Sequence, residues 1–502
     1  MYLVHQSSFH WFFQRSPTFD LHFNNEDLQL TTLLDDDNLI TEAQSQNEKI
    51  LDLQYNQQIN SVQEDQVLEL IKYITEMPED DSNSKRAYRY PYYSSALLCF
   101  IVKGKPQYFI ENDKRLLYKL LNFFSQDQDV NSVLAGFVIN VLQNIQEELL
   151  VGECFQNPQI QEGMIRQLQS RSVSDFLLYL LQVQSQQYQN EKVNLLQSIL
   201  KRIDDSTNFE ISSNVSYIIQ ELIKVEDYQQ WYMDIIFGEF INKLCQTILF
   251  KDNFISLSSS TILFNLLQFL KNTYQKQYGS KVKGPEIDVN MVFSRIEPYC
   301  TDWIEYLLNQ KSTILGQQKL KLLEIIGVGV SLNNQQFINR LYQCNIFKVY
   351  NQLFLTYEQH DILHFQYFNL ISQTIENQID ILIKNLFEEN QFIQLLIQCT
   401  NKVDNQEKQR KGQLGFITLL GIFIVEKAEN YEYLQQYLQN ESWQQFKTQY
   451  IEKAQKINNF ELGQDGIDQL YKWKEFQLEG DTKIELIEQN KEQSGNSNQE
   501  TI

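Results

Sequence analysis

Two histidines four residues apart are the strongest sign of chemistry in the sequence. His360 and His364 lie in EQHDILHFQ (358–366), which differs from the zinc-protease pattern H-E-x-x-H by one residue. A catalytic zinc ion needs a third protein ligand and a glutamate base, and the other three histidines lie within the first 22 residues. Asp361 precedes an apolar run and is predicted to cap a helix, which would put His360 outside that helix and His364 at its third position. The two rings would then not share a face, so we predict no metal site here.

An acidic run near the N-terminus is the next candidate. Asp35, Asp36 and Asp37 stand together in LLDDDNLI, without the D-x-D-x-[DN]-G spacing or the closing glutamate of a calcium-binding EF-hand loop. Acidic residues before a helix more often cap it and complement its dipole, which is the interpretation we favour. Gly327 and Gly329 are not followed by G-K-[ST] and so do not form a phosphate-binding loop. The sequence therefore predicts no catalytic residue, no metal and no cofactor.

The cysteines are too far apart for a zinc ribbon or a redox dithiol. No C-x-x-C occurs, and most of the six have apolar neighbours, so we interpret them as reduced core thiols of an intracellular protein. The six are Cys99, Cys154, Cys245, Cys300, Cys344 and Cys399. The first residues lack the pattern of a signal peptide, and the most apolar run, Leu414–Val425, is too short at 12 residues to span a bilayer. These features predict no membrane association and a location in the cytoplasm or nucleus.

The composition favours an all-α protein. The 502 residues include only 17 glycines and 7 prolines, few helix breakers for so long a chain. The chain carries 42 basic and 64 acidic side chains, a net charge of −22. Nucleic acids and anionic membranes would repel such a chain, so basic protein surfaces are the expected partners.

Apolar residues recur with the 3.6-residue period of helices from about residue 64 to 477. Val67, Leu70, Ile71 and Ile74 fall on one face of VLELIKYI, and IFKVYNQLFLTY (346–357) repeats the pattern. We predict roughly twenty helices and no strand. Since a helical pair cannot bury its apolar face alone, the pairs must stack, which predicts a HEAT- or armadillo-like α-solenoid.

Polar stretches with helix breakers predict the interruptions of this pattern. Met77–Pro91 and Lys271–Ile287 are the expected long internal loops. The predicted organisation is an N-terminal segment of residues 1–27, a helical-repeat domain of residues 28–478 and a polar tail of residues 479–502. The tail carries almost nothing apolar and is expected to be disordered.

The N-terminal region resembles the opening of the SAPS-domain family, the regulatory subunits of protein phosphatase 6 and their fungal equivalents. HWFF (10–13) is followed by LQLTTLLDDDNLITEAQSQNEKILDL (28–53). The family begins with a short Phe/Trp-containing stretch, an acidic D-E-D-D-like run and then E-x-K-x-Q-N-x-K-L-x-D-F. The matching positions here are Trp11, Phe12, Asp35–Asn38, Glu42, Gln46, Asn47, Lys49, Leu51 and Asp52.

A second block, residues 338–366, looks like the family segment in which a helix ending F-F-x-Y leads through W-N-N-F-L-H into the next helix. Three residues match this segment: Tyr357, Leu363 and His364. The tryptophan and the two asparagines of the family are replaced here by Gln359, His360 and Asp361. Asp361 is expected to keep the capping chemistry of the asparagine with a different oxygen. Weaker similarities keep the family order across nearly the whole chain, in RYPYYSSALLC (89–99), SRIEPYCTDWIEYLL (294–308), RKGQLGFITLL (410–420) and LYKWKEF (470–476).

The resemblance implies a non-catalytic helical-repeat subunit. It would bind the catalytic subunit of a type-2A-like serine/threonine phosphatase, with an ankyrin-repeat protein as a further partner, and would bias substrate choice. Within this hypothesis we expect the two blocks to contact the partner, with helix capping alone as the alternative for the acidic run. The expected contact residues are Trp11, Phe12, Asp35, Asp36, Asp37, Asn38, Gln46, Asn47 and His364.

Two other classes of protein share part of this pattern. An acidic HEAT-type cargo or transport adaptor would have the same composition and helix count, but would bind basic localisation signals and no phosphatase. An enzyme built on His360 and His364 is the third hypothesis, and it requires stoichiometric zinc. Recovery of a phosphatase catalytic subunit with the purified protein separates the first hypothesis from the other two.

Overall fold

The structure is all-helical wherever it is described. The computed structural model describes residues 30–44, 66–78, 84–110, 114–224, 230–250, 252–277, 287–309, 314–401 and 412–458. Within these ranges all regular secondary structure is helical, in 27 α-helical segments, which confirms the all-α prediction. The structure has more helices than the roughly twenty predicted because nine segments have only four to seven residues. Segments of that length are too short to show a periodic apolar pattern in the sequence.

The described helices that precede Cys300 form one compact unit together with Gln317–Val328. Its α-helices are α1 (Leu30–Leu34), α2 (Leu39–Gln44), α3 (Gln66–Thr75), α4 (Tyr90–Gly104), α5 (Gln107–Ile110), α6 (Arg115–Leu121), α7 (Ser132–Leu142), α8 (Glu147–Gln156), α9 (Pro158–Arg166), α10 (Arg171–Gln182), α11 (Gln189–Leu200), α12 (Phe209–Lys224), α13 (Gln230–Ile236), α14 (Glu239–Thr247), α15 (Asn253–Gln277) and α16 (Val289–Ile296). Shorter helical turns lie between them, one π-helical (Lys85–Arg89) and three of 3-10 type (Asn122–Ser125, Lys201–Asp204 and Glu297–Tyr299).

The remaining described helices form a second compact unit. They are α17 (Cys300–Leu308), α18 (Gln317–Ser331, which belongs to the first unit up to Val328), α19 (Gln335–Gln343), α20 (Ile346–Thr356), α21 (Asp361–Glu376), α22 (Asp380–Lys384), α23 (Phe392–Asn401), α24 (Gln413–Asn430), α25 (Glu432–Gln435), α26 (Glu441–Phe446) and α27 (Glu452–Asn458). Two π-helical turns (Asn385–Glu389 and Lys447–Ile451) and one 3-10 turn (Gln436–Leu438) complete it. The predicted single domain of residues 28–478 stays a prediction.

Helices of the first unit stack in chain order. Each helix packs against the next one in the series α4, α7, α10, α12, α15. The Ser95 hydroxyl in α4 donates to the Phe137 carbonyl in α7 at 3.3 Å, and Cys99 one turn later faces Asn140. Both contacts advance along the two helices together, so α4 and α7 run in the same direction. Stacking of every second or third helix in chain order is the arrangement of helical-repeat proteins, and the solenoid prediction is confirmed.

The apolar faces predicted from periodicity are the buried ones. Val67, Leu70, Ile71 and Ile74 in α3 are all at most 2% exposed. The residues of 346–357 that recur with this period are buried as well, namely Ile346, Val349, Tyr350, Leu353, Phe354 and Tyr357. Burial of each such side chain stabilises the fold by about 1.5–3 kcal/mol, so the stripes hold the stack together.

Both predicted long loops are partly helical. In Met77–Pro91, residues 79–83 lie outside the described residues, but helix begins again at Lys85, and Pro91 occupies the first turn of α4. Proline is tolerated there because the first-turn N–H groups need no helical partner. In Lys271–Ile287 the prediction is wrong up to Gln277, because lysine and glutamine are good helix formers and the first glycine comes only at position 279.

A buried lysine closes the C-terminal end of α10. The ammonium group of Lys192 contacts the carbonyl oxygens of Val183 and, at 3.2 Å, Ser185, and its side chain is fully buried. Burial lowers the pKa of Lys192. The last carbonyl groups of a helix lack intrahelical partners, and a cation there also complements the helix dipole.

One described helix meets the length and composition of a membrane span. Residues Asn253–Thr273 of α15 are sufficiently long and apolar, and half of the most apolar stretch is buried inside the protein. Serines and asparagine interrupt this stretch, so it contains no long uninterrupted apolar run. Core helices and membrane-spanning helices share this composition.

Candidate partner-binding surface

The acidic run forms the turn between α1 and α2. The Asp36 carboxylate accepts hydrogen bonds from the backbone N–H of Asn38 at 2.8 Å and from its side-chain amide at 3.1 Å. The Leu39 N–H donates to the Asp36 carbonyl at 3.3 Å. These contacts form an Asx-type turn that closes the acidic run before α2 begins at Leu39, and the helix-capping role stays a prediction.

One arginine fastens this turn to the first long helix. Arg89 donates from Nε to the Leu34 carbonyl at 2.9 Å, and from Nη2 to the Asp35 carbonyl at 2.9 Å and the Asp37 carboxylate at 2.8 Å. Its guanidinium also lies 4.6 Å from the centre of the Tyr93 ring. The planar guanidinium thus pairs the last carbonyl groups of α1 and a carboxylate of the turn at the same time.

The first aspartate of the run has two partners of its own. Lys85 pairs with the Asp35 carboxylate at 2.9 Å, and the Tyr90 hydroxyl donates to it at 3.2 Å. The hydrogen bond from Lys85 holds the pKa of Asp35 below its ordinary value. Since Asp37 pairs with Arg89, two of the three negative charges are balanced within the chain. The acidic run therefore acts here as an internal docking element.

An aromatic groove of about 390 Å³ runs beside the docked turn. It is lined by Ile40 and Ala43 of α2, Tyr92 and Phe100 of α4, and Phe137 of α7. The Tyr92 side chain is 53% exposed, and its ring meets the Phe137 ring edge-on at 6.3 Å. An exposed tyrosine over an apolar groove is the kind of anchor that protein interfaces concentrate their binding energy on.

The cysteine in this groove has the environment of a weak nucleophile. The side-chain amides of Asn140 and Asn144 donate to the Cys99 sulfur at 3.3 and 3.4 Å. Burial raises the pKa of Cys99 to about 11. The thiol therefore stays protonated at neutral pH, and protonated thiols do not attack substrates.

The two histidines of the second block hold the turn between α20 and α21. His360, at the N-cap, accepts a hydrogen bond on Nδ1 from the Leu363 N–H at 3.3 Å, so the prediction that Asp361 caps α21 is wrong. Asp361 is the first helical residue instead, where its charge complements the dipole. His364 Nε2 lies 3.1 Å from the Tyr357 carbonyl, which only accepts, so that nitrogen carries the proton.

His364 is enclosed in the core of the second unit. Its side chain is fully buried, and its ring meets the Phe354 ring at 4.8 Å and the Phe416 ring at 5.3 Å, both edge-on. This burial contradicts a direct partner contact by His364. Among the described residues no three His, Cys, Asp or Glu side chains gather to hold a metal ion.

The turn is also tied to α24. The Gln413 N–H donates to the Glu358 carbonyl at 3.0 Å, and the Gly412 N–H donates to the Gln359 side-chain oxygen at 3.3 Å. A Cβ atom at Gly412 would approach that oxygen to 3.0 Å. Tyr357 through His360 therefore join three helices, which is a structural role for this block.

The stability of the second unit is expected to fall as the pH drops through about 6.5. Burial lowers the pKa of His364 below that ordinary value, so the unfolded chain binds a proton that the folded chain excludes. The free energy of unfolding begins to fall near pH 6.5 and stops falling at the folded-state pKa of His364. Its total decrease is about 1.4 kcal/mol for each unit by which the folded-state pKa lies below the unfolded-state pKa. Denaturant unfolding at pH 7.5 and pH 5.5 measures it.

The matched variant is His364→Gln, whose amide can donate to Tyr357 but does not titrate. We expect its unfolding free energy to vary less between the two pH values than that of the parent chain. An identical pH dependence in both proteins would show that another group titrates.

The chain has a family signature that covers more than half of its 502 residues. Residues 154–460 match the SAPS family model, described as SIT4 phosphatase-associated protein. The chain belongs to the SAPS family. The His360–His364 turn lies within the matched range of the SAPS model, whereas the docked acidic run and the aromatic groove precede it.

Curated relatives of this SAPS chain extend the similarity to most of its length. It is 23% identical to Serine/threonine-protein phosphatase 6 regulatory subunit 3 of Gallus gallus, over 88% of this chain and 58% of that protein. It is 21% identical to Serine/threonine-protein phosphatase 6 regulatory subunit 1 of Homo sapiens, over 88% of this chain and 59% of that protein. The chain thus spans less than two thirds of the length of these relatives.

Among solved structures, yeast importin-beta overlaps with the SAPS chain. The TM-score is 0.41 and the sequence identity 13%, with 88% of this chain and 49% of that chain covered.

The structure brings part of the sequence-predicted site together. Asp35, Asp36, Asp37 and Asn38 form one turn, whereas His364 lies in the second unit. Trp11, Phe12, Gln46 and Asn47 lie outside the described residues. Sequence reasoning missed Lys85, Arg89, Tyr90 and the groove residues Tyr92 and Phe137. The available signal was charge: the basic segment KRAYRYP is the first strongly cationic stretch after the acidic run.

Proposed function

We propose that this chain is a non-catalytic regulatory subunit. It binds the catalytic subunit of a type-2A-like serine/threonine phosphatase of the protein phosphatase 6 class and directs its substrate choice. The observation that carries the proposal is the family match over residues 154–460, extended to 88% of the chain by relatives named as phosphatase 6 regulatory subunits.

The chemistry of the described side chains supports a binding role. Burial raises the pKa of Cys99, which favours the unreactive thiol, and the two histidines of the second block bond to backbone groups of their own turn. Hydrolysis of the phosphate ester would be performed by the bound catalytic subunit. The SAPS chain would supply surface, and its stacked helices expose side chains over a long series of turns.

The groove beside the acidic turn is our candidate for the phosphatase contact. It combines the exposed ring of Tyr92 with the apolar side chains of Ile40 and Phe137, and Lys103 and Asn140 lie at the same groove. The N-terminal block forms one wall through α2, so docking of that block by Arg89 builds the surface. In this proposal the acidic run contributes by shaping the groove more than by its charge.

Affinity purification of the full chain followed by mass spectrometry tests the proposal. We expect a type-2A-like phosphatase catalytic subunit to be recovered with the parent chain, and Tyr92→Ala to weaken its binding about thirtyfold, since truncated aromatic anchors cost about 2 kcal/mol or more. Tyr88→Ala is the matched control, because Tyr88 is 77% exposed and does not line the groove. Intact parent chain without any such catalytic subunit would refute the function.

Different results refute different parts of the proposal. Recovery that is equal for both tyrosine variants would leave the phosphatase partner in place and exclude the groove as its site. Recovery of proteins with basic localisation signals in place of a phosphatase would favour the transport adaptor. The same purification tests the ankyrin-repeat third partner, and imaging of the tagged chain tests the proposed location in the cytoplasm or nucleus.

A further inference from the structure

A second cavity, of about 700 Å³, lies in the first unit. It is formed by the ends of α11 and α13, the start of α14 and a residue of α16, with Leu200, Ile235 and Phe240 as its apolar lining. This volume is in the range of sites that bind small molecules or side chains of a partner. The two blocks that carry the family resemblance, one near the N-terminus and one around His364, contribute no residue to this cavity.

Three cationic side chains reach this cavity, although the chain as a whole is strongly acidic. Lys243 is paired with Asp204 at 2.5 Å. Arg295 donates from Nη1 to Glu239, whereas its Nε is buried and has no hydrogen-bond acceptor within the described structure. Lys201 is exposed and pairs with no carboxylate among the described residues. Asp234 and Glu239 line the same cavity, so two carboxylates already lie beside these cations. The Lys201 ammonium is the positive charge there without a carboxylate partner among the described residues.

The backbone adds to this positive character. Helix α14 begins at the cavity, and its N-cap is Gly238, which offers no side chain to cap the helix. A Cβ atom at Gly238 would lie 2.6 Å from the Asp234 carbonyl oxygen, so the local packing excludes serine or aspartate as a cap. The first-turn N–H groups and the positive end of the helix dipole therefore add to the attraction of Lys201 for an anion, although Glu239 in the first turn already meets part of it.

We propose that this cavity binds a phosphoryl group carried by a polypeptide segment, as phosphoserine or phosphothreonine. The Lys201 ammonium, the Arg295 guanidinium after displacement of Glu239, and the start of α14 would hold the three phosphoryl oxygens. The apolar lining of Leu200 and Ile235 would receive the neighbouring part of the segment. The proposal concerns this chain alone and does not depend on a bound phosphatase.

The present occupant of the positive site argues for a phosphoryl group over a carboxylate. Glu239 already places a single negative charge beside Arg295, yet its side chain is 81% exposed. A second carboxylate would gain little by displacing it. A phosphoryl group carries a charge near −2 and three acceptor oxygens, so it outcompetes Glu239 for the same donors.

The lining argues for a peptide over a nucleotide. Phe240 is the one aromatic residue among those that line the cavity, and it is only 6% exposed, so it presents no free ring face to a base. Nucleotide sites without a stacking partner lose about 1–3 kcal/mol per base. Inorganic phosphate alone would leave most of the 700 Å³ unfilled.

Binding of a degenerate phosphoserine and phosphothreonine peptide library to the full chain tests the proposal. The unphosphorylated library and inorganic phosphate are the comparison probes. We expect Lys201→Gln combined with Arg295→Gln to weaken phosphopeptide binding about tenfold, and Glu239→Gln to strengthen it, because that change removes the competing charge. Lys224→Gln is the matched control, since Lys224 pairs with Glu221 and does not line the cavity.

The outcomes separate the sources of the anion. Preference for the phosphorylated library that depends on Lys201 and Arg295 supports the proposal. Equal binding of both libraries, or equal binding by the cavity variant and Lys224→Gln, overturns it. Tight binding of inorganic phosphate without added affinity for the peptides would identify a free anion as the ligand and also overturn it. Unfolding curves of all variants show that the fold is retained, and Lys201→Gln alone, at an exposed position, serves if the double variant unfolds.

Discussion

Gly163→Ala is expected to destabilise the first unit by about 1–3 kcal/mol, the usual cost of overpacking a core. Gly163 lies inside α9, where alanine normally stabilises a helix by about 0.5–1 kcal/mol. Here a Cβ atom would lie 2.7 Å from the Phe124 carbonyl oxygen and 3.0 Å from the Ser125 Cα. Both obstacles are backbone atoms of the 3-10 turn on which α9 packs, so neither can rotate away.

Gly327→Ala is the matched control for this prediction. Gly327 lies inside α18, and a Cβ atom there meets nothing within 4 Å. The substitution adds the same methyl group and the same helix propensity, so we expect a gain of about 0.5–1 kcal/mol. Chemical denaturation of both variants measures the contrast. If Gly163→Ala proved as stable as Gly327→Ala, the close packing of α9 on Phe124 and Ser125 would be wrong.

Helices were predictable from the sequence wherever the apolar stripe was long enough to show its period. α3 and α20 emerged with their buried residues because each has at least ten residues and one clear face. α1 and α2 have five and six residues, and isolated helices of that length are not stable, so packing on the rest of the protein decides whether they form. The continuation of α15 to Gln277 was missed because polar composition was taken for a loop.

The acidic run shows what a sequence cannot supply. Its local turn follows from local chemistry, because an aspartate side chain readily accepts a hydrogen bond from the backbone N–H two residues ahead, as Asp36 does from Asn38. The identity of its partner cannot be predicted in this way. Arg89 lies 52 positions away from Asp37, and the two residues meet only when α4 packs against α1. A cluster of like charges therefore suggested an open electrostatic surface, although folding brings matching cations to it.

The His360 turn was misassigned for a related reason. Both His360 and Asp361 can accept a hydrogen bond from an N–H two or three residues ahead, and aspartate is the commoner cap. Helix α21 starts one residue earlier than predicted from Asp361, so the histidine ring takes the N-cap position. A shift of one residue changes which side chain caps, and helix boundaries are set by packing as much as by local preference.

Arg89→Gln is expected to release α1 and α2 from the first unit. The arginine makes three hydrogen bonds to the acidic turn, and its loss leaves the Leu34 and Asp35 carbonyl groups without their charged donor, at a cost of about 2–3 kcal/mol. The two helices are too short to stay folded without such contacts. Hydrogen exchange of residues 30–44 measures the release, and we expect their protection to fall while that of α12 is kept.

Lys85→Gln is the matched control, because it removes one positive charge from the same turn at an exposed position. The Lys85 and Asp35 side chains are 57% and 37% exposed, and ion pairs of this kind contribute about 0–1 kcal/mol. We expect near-parental protection of residues 30–44 in this variant. Equal loss in both variants would show that the charge of the cluster, and not the three hydrogen bonds of Arg89, holds the turn.

Because α2 forms one wall of the aromatic groove, phosphatase recovery is expected to fall with Arg89→Gln and to persist with Lys85→Gln, which links the docking of the acidic run to the proposed function.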